Sequence, residues 1–357
     1  MDTEKIIIGI THGDVNGIGY EVILKTLSDT RMLESFIPVI YGSSKVAAYY
    51  RKHLDIQNLN FNIINSVNDI NPKRVNLINC GDDDIKVEFG RSTTDAGKSA
   101  YAALERATQD LSEGLIHAVV TAPINKDNIQ SENFHFPGHT EYLAEKFGTD
   151  KSVVMMLVSD VMRVAVATGH IPLKEVPNVL TKELILDKLV TINESLKQDF
   201  GIIRPRIAVL GLNPHAGDEG LIGSEEKEII IPAMQTAGEK GIICSGPYPA
   251  DGFFGSDNFG KFDAILAMYH DQGLIPFKAV SMENGVNVTL GLSIIRTSPA
   301  HGTAYDIAGQ NIASEESFRQ AIYMASDMYY KRDWEKDIAK NPLRSMTIEK
   351  CADDKEE

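Results

Sequence analysis

Short runs of branched apolar residues alternate with longer helix-patterned stretches almost from end to end of this 357-residue chain. Parallel strands need crossover connections, and helices supply them, so the alternation selects an α/β architecture. IIIGI leads into a glycine-rich turn and a helix near Glu21–Thr26, and FIPVIYG into a helix around Lys45–His53. HAVVTAP is a third strand, while SVVMMLV and RVAVATG read as a hairpin pair. A helix over Lys182–Phe200 carries Leu184, Leu186, Leu189, Ile192 and Leu196 at the spacing of one buried face. RIAVLGL, a helix over Glu225–Lys240, AILAMY, NVTLGL and a final helix from Ser314 complete the pattern. No internal repeat or long linker marks a boundary. The expected division joins 1–125 to 285–357 as one domain, with 126–284 as the other.

Three of these strand-like runs end close to a histidine: ATGHIPL gives His170, LNPHAG gives His215 and AMYHDQG gives His270. Loops at the carboxyl ends of parallel strands are where ligands gather in α/β sheets. Each imidazole alone reads best as a satisfied polar histidine. Together, with no cysteine among them, they read as a divalent metal site with positions left open for substrate. Neutral nitrogen ligands suit Zn²⁺ or Co²⁺ better than Mg²⁺.

Bulk properties narrow the partners. A net charge of −15 argues against nucleic acid or an anionic membrane, and no apolar stretch reaches the length of a transmembrane helix. The N-terminus enters a strand at once without a signal-peptide pattern, and Cys80, Cys244 and Cys351 form no motif. These features predict a cytoplasmic enzyme. The ADDKEE end reads as a solvated tail.

Other segments carry candidate ligand contacts. Ile10–Glu21, ITHGDVNGIGYE, could place an anion at a helix N-terminus, but it is neither a Walker loop nor a Rossmann fingerprint, and a plain tight turn explains it equally well. In PGHTEYLA, Thr140 is the expected helix N-cap, leaving His139 free to face a ligand. GPYPADG is a rigid turn bearing Asp251. Lys278, Asn287 and Arg296 are polar residues in apolar surroundings, where an internal ion pair or an anionic ligand would satisfy the charges. The loop His301–Gly309, HGTAYDIAG, is crowded with small residues and turn formers, which predicts a close backbone approach.

That last loop resembles the adenine-side dinucleotide loop of isopropylmalate and isocitrate dehydrogenases. The fuller set THGD, NGIG, PGHTEYLA, ATGHIPL, LNPHAGDEG, GPYPAD, AMYHDQGLIPFK, VNVTLGL and RTS…HGTAYDIAG, spread over residues 10 to 309, resembles the 4-hydroxythreonine-4-phosphate dehydrogenase family of vitamin B6 biosynthesis. Ala300 stands where the family commonly has aspartate, and Val15 and Tyr20 where it often has proline. The resemblance implies a two-domain isopropylmalate-dehydrogenase-like fold of three-layer α/β/α domains. The terminal segments would form the cofactor side, and the middle would carry the dimer contacts and the metal site. It implies a homodimer whose subunits share a metal held by His170, His215 and His270; the division to test sets His270 against the partner's His170 and the partner's His215, the alternative being all three from one chain. Substrate contacts would fall on His139, Thr140, Lys278, Asn287 and Arg296. His301, Gly302, Thr303, Ala304 and Asp306 would contact NAD or NADP.

The implied reaction oxidises 4-phosphooxy-L-threonine, a phosphorylated hydroxy-amino acid, to 2-amino-3-oxo-4-(phosphooxy)butanoate. This β-keto acid loses CO₂ to give 3-amino-2-oxopropyl phosphate. A divalent metal (Zn, Co or Mg) would stabilise charge on the reacting oxygen. Asp251, Lys278 or a metal-linked water could serve as the base. The rival readings are a dehydrogenase of threonate or erythronate 4-phosphate, a histidine–metal hydrolase and a non-catalytic phospho-acid binder.

Overall fold

A computed structural model describes residues 5–81 and 84–340. Cys351, the acidic tail and the outermost residues of the expected terminal domain lie outside the described residues. The strands are β1 Ile6–Thr11, β2 Phe36–Gly42, β3 Phe61–Ile64, β4 Val75–Asn79, β5 Ala118–Thr121 and β6 Val154–Val158. There follow β7 Arg163–Val166, β8 Arg206–Leu210, β9 Ile243–Tyr248, β10 Ala264–Ala267, β11 Val286–Leu290 and β12 Arg296–Pro299. All lie in one sheet, in the order β3-β4-β2-β1-β5-β12-β11-β6-β7-β10-β8-β9.

The sheet has two parallel wings that run in opposite directions. The strands from β3 to β12 are parallel to one another, as are those from β7 to β9. The reversal occurs in the middle, where β11 is antiparallel to both β12 and β6, and β6 is antiparallel to β7. The expected hairpin is β6–β7. Strands buried on both faces explain the near-continuous apolar runs: β2 is buried at every position and β1 at all but one.

The expected helices appear at Gly19–Ser28, Ser44–His53, Lys182–Gln198 and Glu316–Ala339. The stretch expected to be helical from Glu225 opens with a π-turn, Glu226–Ile230, before helix Ile231–Glu239. The long helix Thr94–Ser112 has no counterpart in the sequence reading. Its buried face sets Ala96, Gly97, Ser99, Ala100, Ala103 and Ala107 beside Leu104, Thr108, Asp110 and Leu111, so small residues outnumber large apolar ones on it. At Gly97 an added Cβ would lie only 1.9 Å from Asn128 O, which forces a residue without a side chain there. β3, β4, β9 and β12 were likewise unexpected. β4 interrupts its apolar pattern with Asn76, fully buried and bonded to the Pro38, Asn71 and Arg74 carbonyls.

Candidate active site

The reversal at the sheet centre creates the site. Register places Thr121 of β5, Arg296 and Ser298 of β12, Asn287 of β11, and Met155 and Leu157 of β6 on one sheet face. All of them line a single pocket of about 250 Å³, suited to a small metabolite. Residues from the turns around the sheet complete the lining. His170 follows β7, His270 begins the helix after β10, and His301 and Gly302 follow β12. Lys126, His139, Thr140 and Glu141 come from the connection between β5 and β6.

Arg296 is 3% exposed. Its guanidinium donates to Thr121 Oγ1 from Nε and Nη2, at 3.1 and 2.8 Å, and to Thr289 Oγ1 from Nη1 at 3.1 Å. These partners are neutral hydroxyls. No carboxylate lies within ion-pair distance among the described residues, and burial pushes its pKa down to about 10 against a small opposing pull from Glu141. A buried cation left in this state is stabilised strongly by an incoming anion, which Arg can engage through two parallel bonds.

Around it lie polar atoms with no partner among the described residues: His139 Nε2, Asn287 Oδ1 and His301 Nε2. Burial, reinforced by Arg296 and Lys126, holds His139 well below the usual imidazole pKa, so it is neutral at pH 7. Burial also lowers His301, whose Nδ1–H donates to the Gly302 carbonyl at 3.0 Å. That bond fixes Nε2 as the unprotonated nitrogen. Thr140 is not the helix N-cap: Gly138 takes that place, and the helix runs His139–Phe147. Gly138 is in extended backbone and makes no side-chain cap bond. Lys278 is exposed at the pocket edge rather than buried as expected, because helix phase buries Leu274, Phe277 and Ser281 of the helix His270–Ser281 instead.

Two of the three metal candidates meet. The His170 and His270 rings lie 5.3 Å apart, as the adjacency of β7 and β10 dictates. His270 Nδ1–H donates to Asp271 Oδ1 at 2.7 Å, leaving Nε2 open, a carboxylate–histidine arrangement common behind metal ligands. Burial lowers the His170 pKa, with Lys126 and His270 adding to it. His215 is one strand further along, after β8, and does not join them; no group of three ligating side chains forms among the described residues. The expected division, with His270 facing the other two across a subunit boundary, is therefore corrected. The strand order puts His170 and His270 side by side in one chain.

His215 is held in an unusual way. His215, Ala216, Gly217, Asp218 and Glu219 all have left-handed φ values, between 41° and 80°. Such a run is strained in non-glycine residues and needs outside support. Glu226, only 3% exposed, supplies it by accepting bonds from Asn213 N and Asn213 Nδ2 at 2.7 and 3.0 Å.

The expected cofactor loop makes its close approach to the protein itself. Thr303 O accepts from Ile18 N at 3.0 Å, and a Cβ on Gly17 would sit 2.7 Å from that oxygen. Tyr305 OH donates to Asp14 Oδ2 at 2.7 Å, and His53 Nε2 bonds to Gly309 O at 2.8 Å. Ala304 is left-handed at φ 46°, and Asp306 is exposed. The glycine-rich loop after β1 is buried throughout His12–Tyr20, so it acts as a tight structural turn and offers no open anion site. Asp251 is exposed in the short helix Ala250–Phe254 and does not line the pocket. Lys126, Glu141, Thr121 and Ser298 were missed, although the placement of Lys126 soon after the HAVVTAP strand is the same signal that singled out the histidines.

Residues 34–325 match the family described as pyridoxal phosphate biosynthetic protein PdxA. A 4-hydroxythreonine-4-phosphate dehydrogenase of Bacteroides thetaiotaomicron is 60% identical over 353 residues, spanning 99% of this chain and 97% of that protein. The crystal structure of a 4-hydroxythreonine-4-phosphate dehydrogenase from Klebsiella pneumoniae superposes with a TM-score of 0.80 at 34% identity, covering 92% of this chain and 99% of the other. Isocitrate dehydrogenase from Methylococcus capsulatus shares the fold alone, with a TM-score of 0.50 at 12% identity over 94% of this chain and 89% of the other.

The buried histidines make stability depend on acid. Burial depresses His12 to about 4 and His139 well below 6.5, so both stay neutral in the folded chain while the unfolded chain takes up protons below pH 6.5. Their contribution is complete above pH 6.5 and is lost as pH falls toward the folded values. Urea unfolding should show His12 alone removing about 2 kcal/mol between pH 7 and 5. His12→Gln should flatten that dependence by a similar amount; an unchanged slope would show that His12 is protonated when folded.

Proposed function

Because this chain belongs to the PdxA family of pyridoxal phosphate biosynthetic proteins, we propose that it oxidises 4-phosphooxy-L-threonine with NAD⁺ or NADP⁺. The product, 2-amino-3-oxo-4-(phosphooxy)butanoate, decarboxylates to 3-amino-2-oxopropyl phosphate, because the new ketone accepts the electron pair left by CO₂. The single observation that carries this reading is Arg296, a buried cation in a small pocket with only hydroxyls for partners. Arg296, with Asn287 and Lys278 beside it, holds the anionic ends of the substrate. Buried neutral His139 offers its unpaired nitrogen to a substrate hydroxyl, with Thr140 next to it. Of the two side chains considered for the proton transfer, Lys278 lines the pocket and Asp251 does not. The nicotinamide accepts the hydride, which is the cofactor's own chemistry. We assign its place to the His301–Gly302 end of the pocket, on the side of the expected terminal domain. Gly302 has open space around its Cα, and His301 Nε2 is unpaired, so both fit a bound ligand. Thr303, Ala304 and Asp306 would contact the dinucleotide through the outer surface of the same loop.

His170 and His270 fit two positions of a divalent cation site, with the partner's His215 as the third ligand in a homodimer. A cation there would favour negative charge on the substrate's hydroxyl oxygen. The two histidines orient it, and Asp271 fixes the His270 ring.

Purified protein should convert 4-phosphooxy-L-threonine with one dinucleotide reduced and one CO₂ released per substrate consumed. Absence of dinucleotide reduction with both NAD⁺ and NADP⁺, in the presence of Zn²⁺ or Co²⁺, would overturn the reading.

Hybrid dimers test how the metal ligands divide. A His170→Ala chain paired with a His215→Ala chain leaves one intact site, so about half of wild-type activity should return. Pairing His170→Ala with His270→Ala spoils both sites and should restore none. The reverse result would place His270 opposite the other two after all.

A further inference from the structure

The charges lining the pocket are unequal. Among the described residues that line it, Lys126, Lys278 and Arg296 are the basic side chains and Glu141 the only acidic one. A carboxylate there opposes the binding of a phosphorylated acid unless it meets a positive group. Within the described residues the Glu141 carboxylate takes part in no hydrogen bond or ion pair, and acts on Arg296 and His170 only through space. Nor does it join His170 and His270 in a metal-ligating group. Its place is nevertheless well defined. Glu141 lies in the first turn of the helix His139–Phe147, where a carboxylate is favoured by the helix dipole. Its Oε2 would lie 3.5 Å from a Cβ built on Gly138, and Lys126 Cε passes 3.7 Å from the same point without the two closing into an ion pair.

We propose that Glu141 determines specificity by receiving the α-ammonium of the substrate, so that the pocket distinguishes an amino acid from the corresponding 2-hydroxy acid. The assignment rests on the function proposed above. At neutral pH the phosphate carries about −2, the carboxylate adds one negative charge and the amine one positive. Three basic side chains and one acid match that pattern group for group. A threonate or erythronate phosphate keeps the anionic ends and loses the ammonium, which would leave Glu141 facing anions with nothing to neutralise it. Discrimination then comes from repulsion of the wrong ligand as well as attraction of the right one.

The test compares kcat/KM for 4-phosphooxy-L-threonine and for its 2-hydroxy analogue in wild type and Glu141→Gln. Glutamine keeps the shape of the side chain and removes its charge. The amino substrate should lose about 10- to 100-fold, the value of a hydrogen bond between charged groups. The hydroxy analogue should be unchanged or improved, so the preference between the two collapses. Equal losses on both substrates would mark Glu141 as structural, and full activity on the amine would show that it does not touch the ammonium; either overturns the assignment while leaving the proposed function intact. A wild-type enzyme that oxidises only the hydroxy acid, or neither compound, would instead overturn the function itself and this assignment with it.

Discussion

The desolvated guanidinium of Arg296 is the constraint around which the site is organised. A cation taken out of water loses far more than two threonine hydroxyls return, and no carboxylate among the described residues pairs with it. The stabilisation that the hydroxyls do not supply is available to whatever anion binds beside the guanidinium. Thr121, Thr289 and Arg296 sit on neighbouring strands where the sheet changes direction, so the geometry is fixed by backbone pairing rather than by mobile loops. A site held this way is pre-organised for a small, highly charged ligand.

The reversal of the sheet also explains why groups from distant parts of the chain meet. Two parallel wings running in opposite directions present the ends of β7 and β10 to one side of the pocket and the segment after β12 to another. Histidines come from the first, and the His301–Gly302 turn from the second. Burial keeps His139, His170 and His301 toward the neutral form, which lets them act as ligands and acceptors without adding to the positive charge. The left-handed turn at His215, braced by buried Glu226, leaves a third imidazole exposed away from the pocket.

Much of this was legible in the sequence because its signals are local. Branched apolar runs such as IIIGI and FIPVIYG announce buried strands, and the periodicity of Lys182–Phe200 announces its helix. Alternating strands and helices put His170 and His270 at strand ends. What escaped reading depends on tertiary contact. The helix Thr94–Ser112 packs largely through alanines and one obligatory glycine, with Leu104 and Leu111 beside them, so small residues mark most of its buried face. The exposure of Lys278 follows from helix phase, and the His301–Gly309 glycines serve a contact between two loops of the same chain. Glu141 was read only as part of a motif, since nothing local reveals that it is the one acid in a basic pocket.

Substrate binding by an Arg296→Ala variant tests the central claim most directly. Loss of a bond between charged groups predicts a fall of about one to two decades in affinity for 4-phosphooxy-L-threonine. Affinity for the dinucleotide, measured by calorimetry on the same folded preparation, should stay within experimental scatter. Removing a buried unpaired cation should also leave the empty protein no less stable. Unchanged substrate affinity in a normally folded variant would show that Arg296 is satisfied from within, and the account of the pocket as an anion site would be wrong.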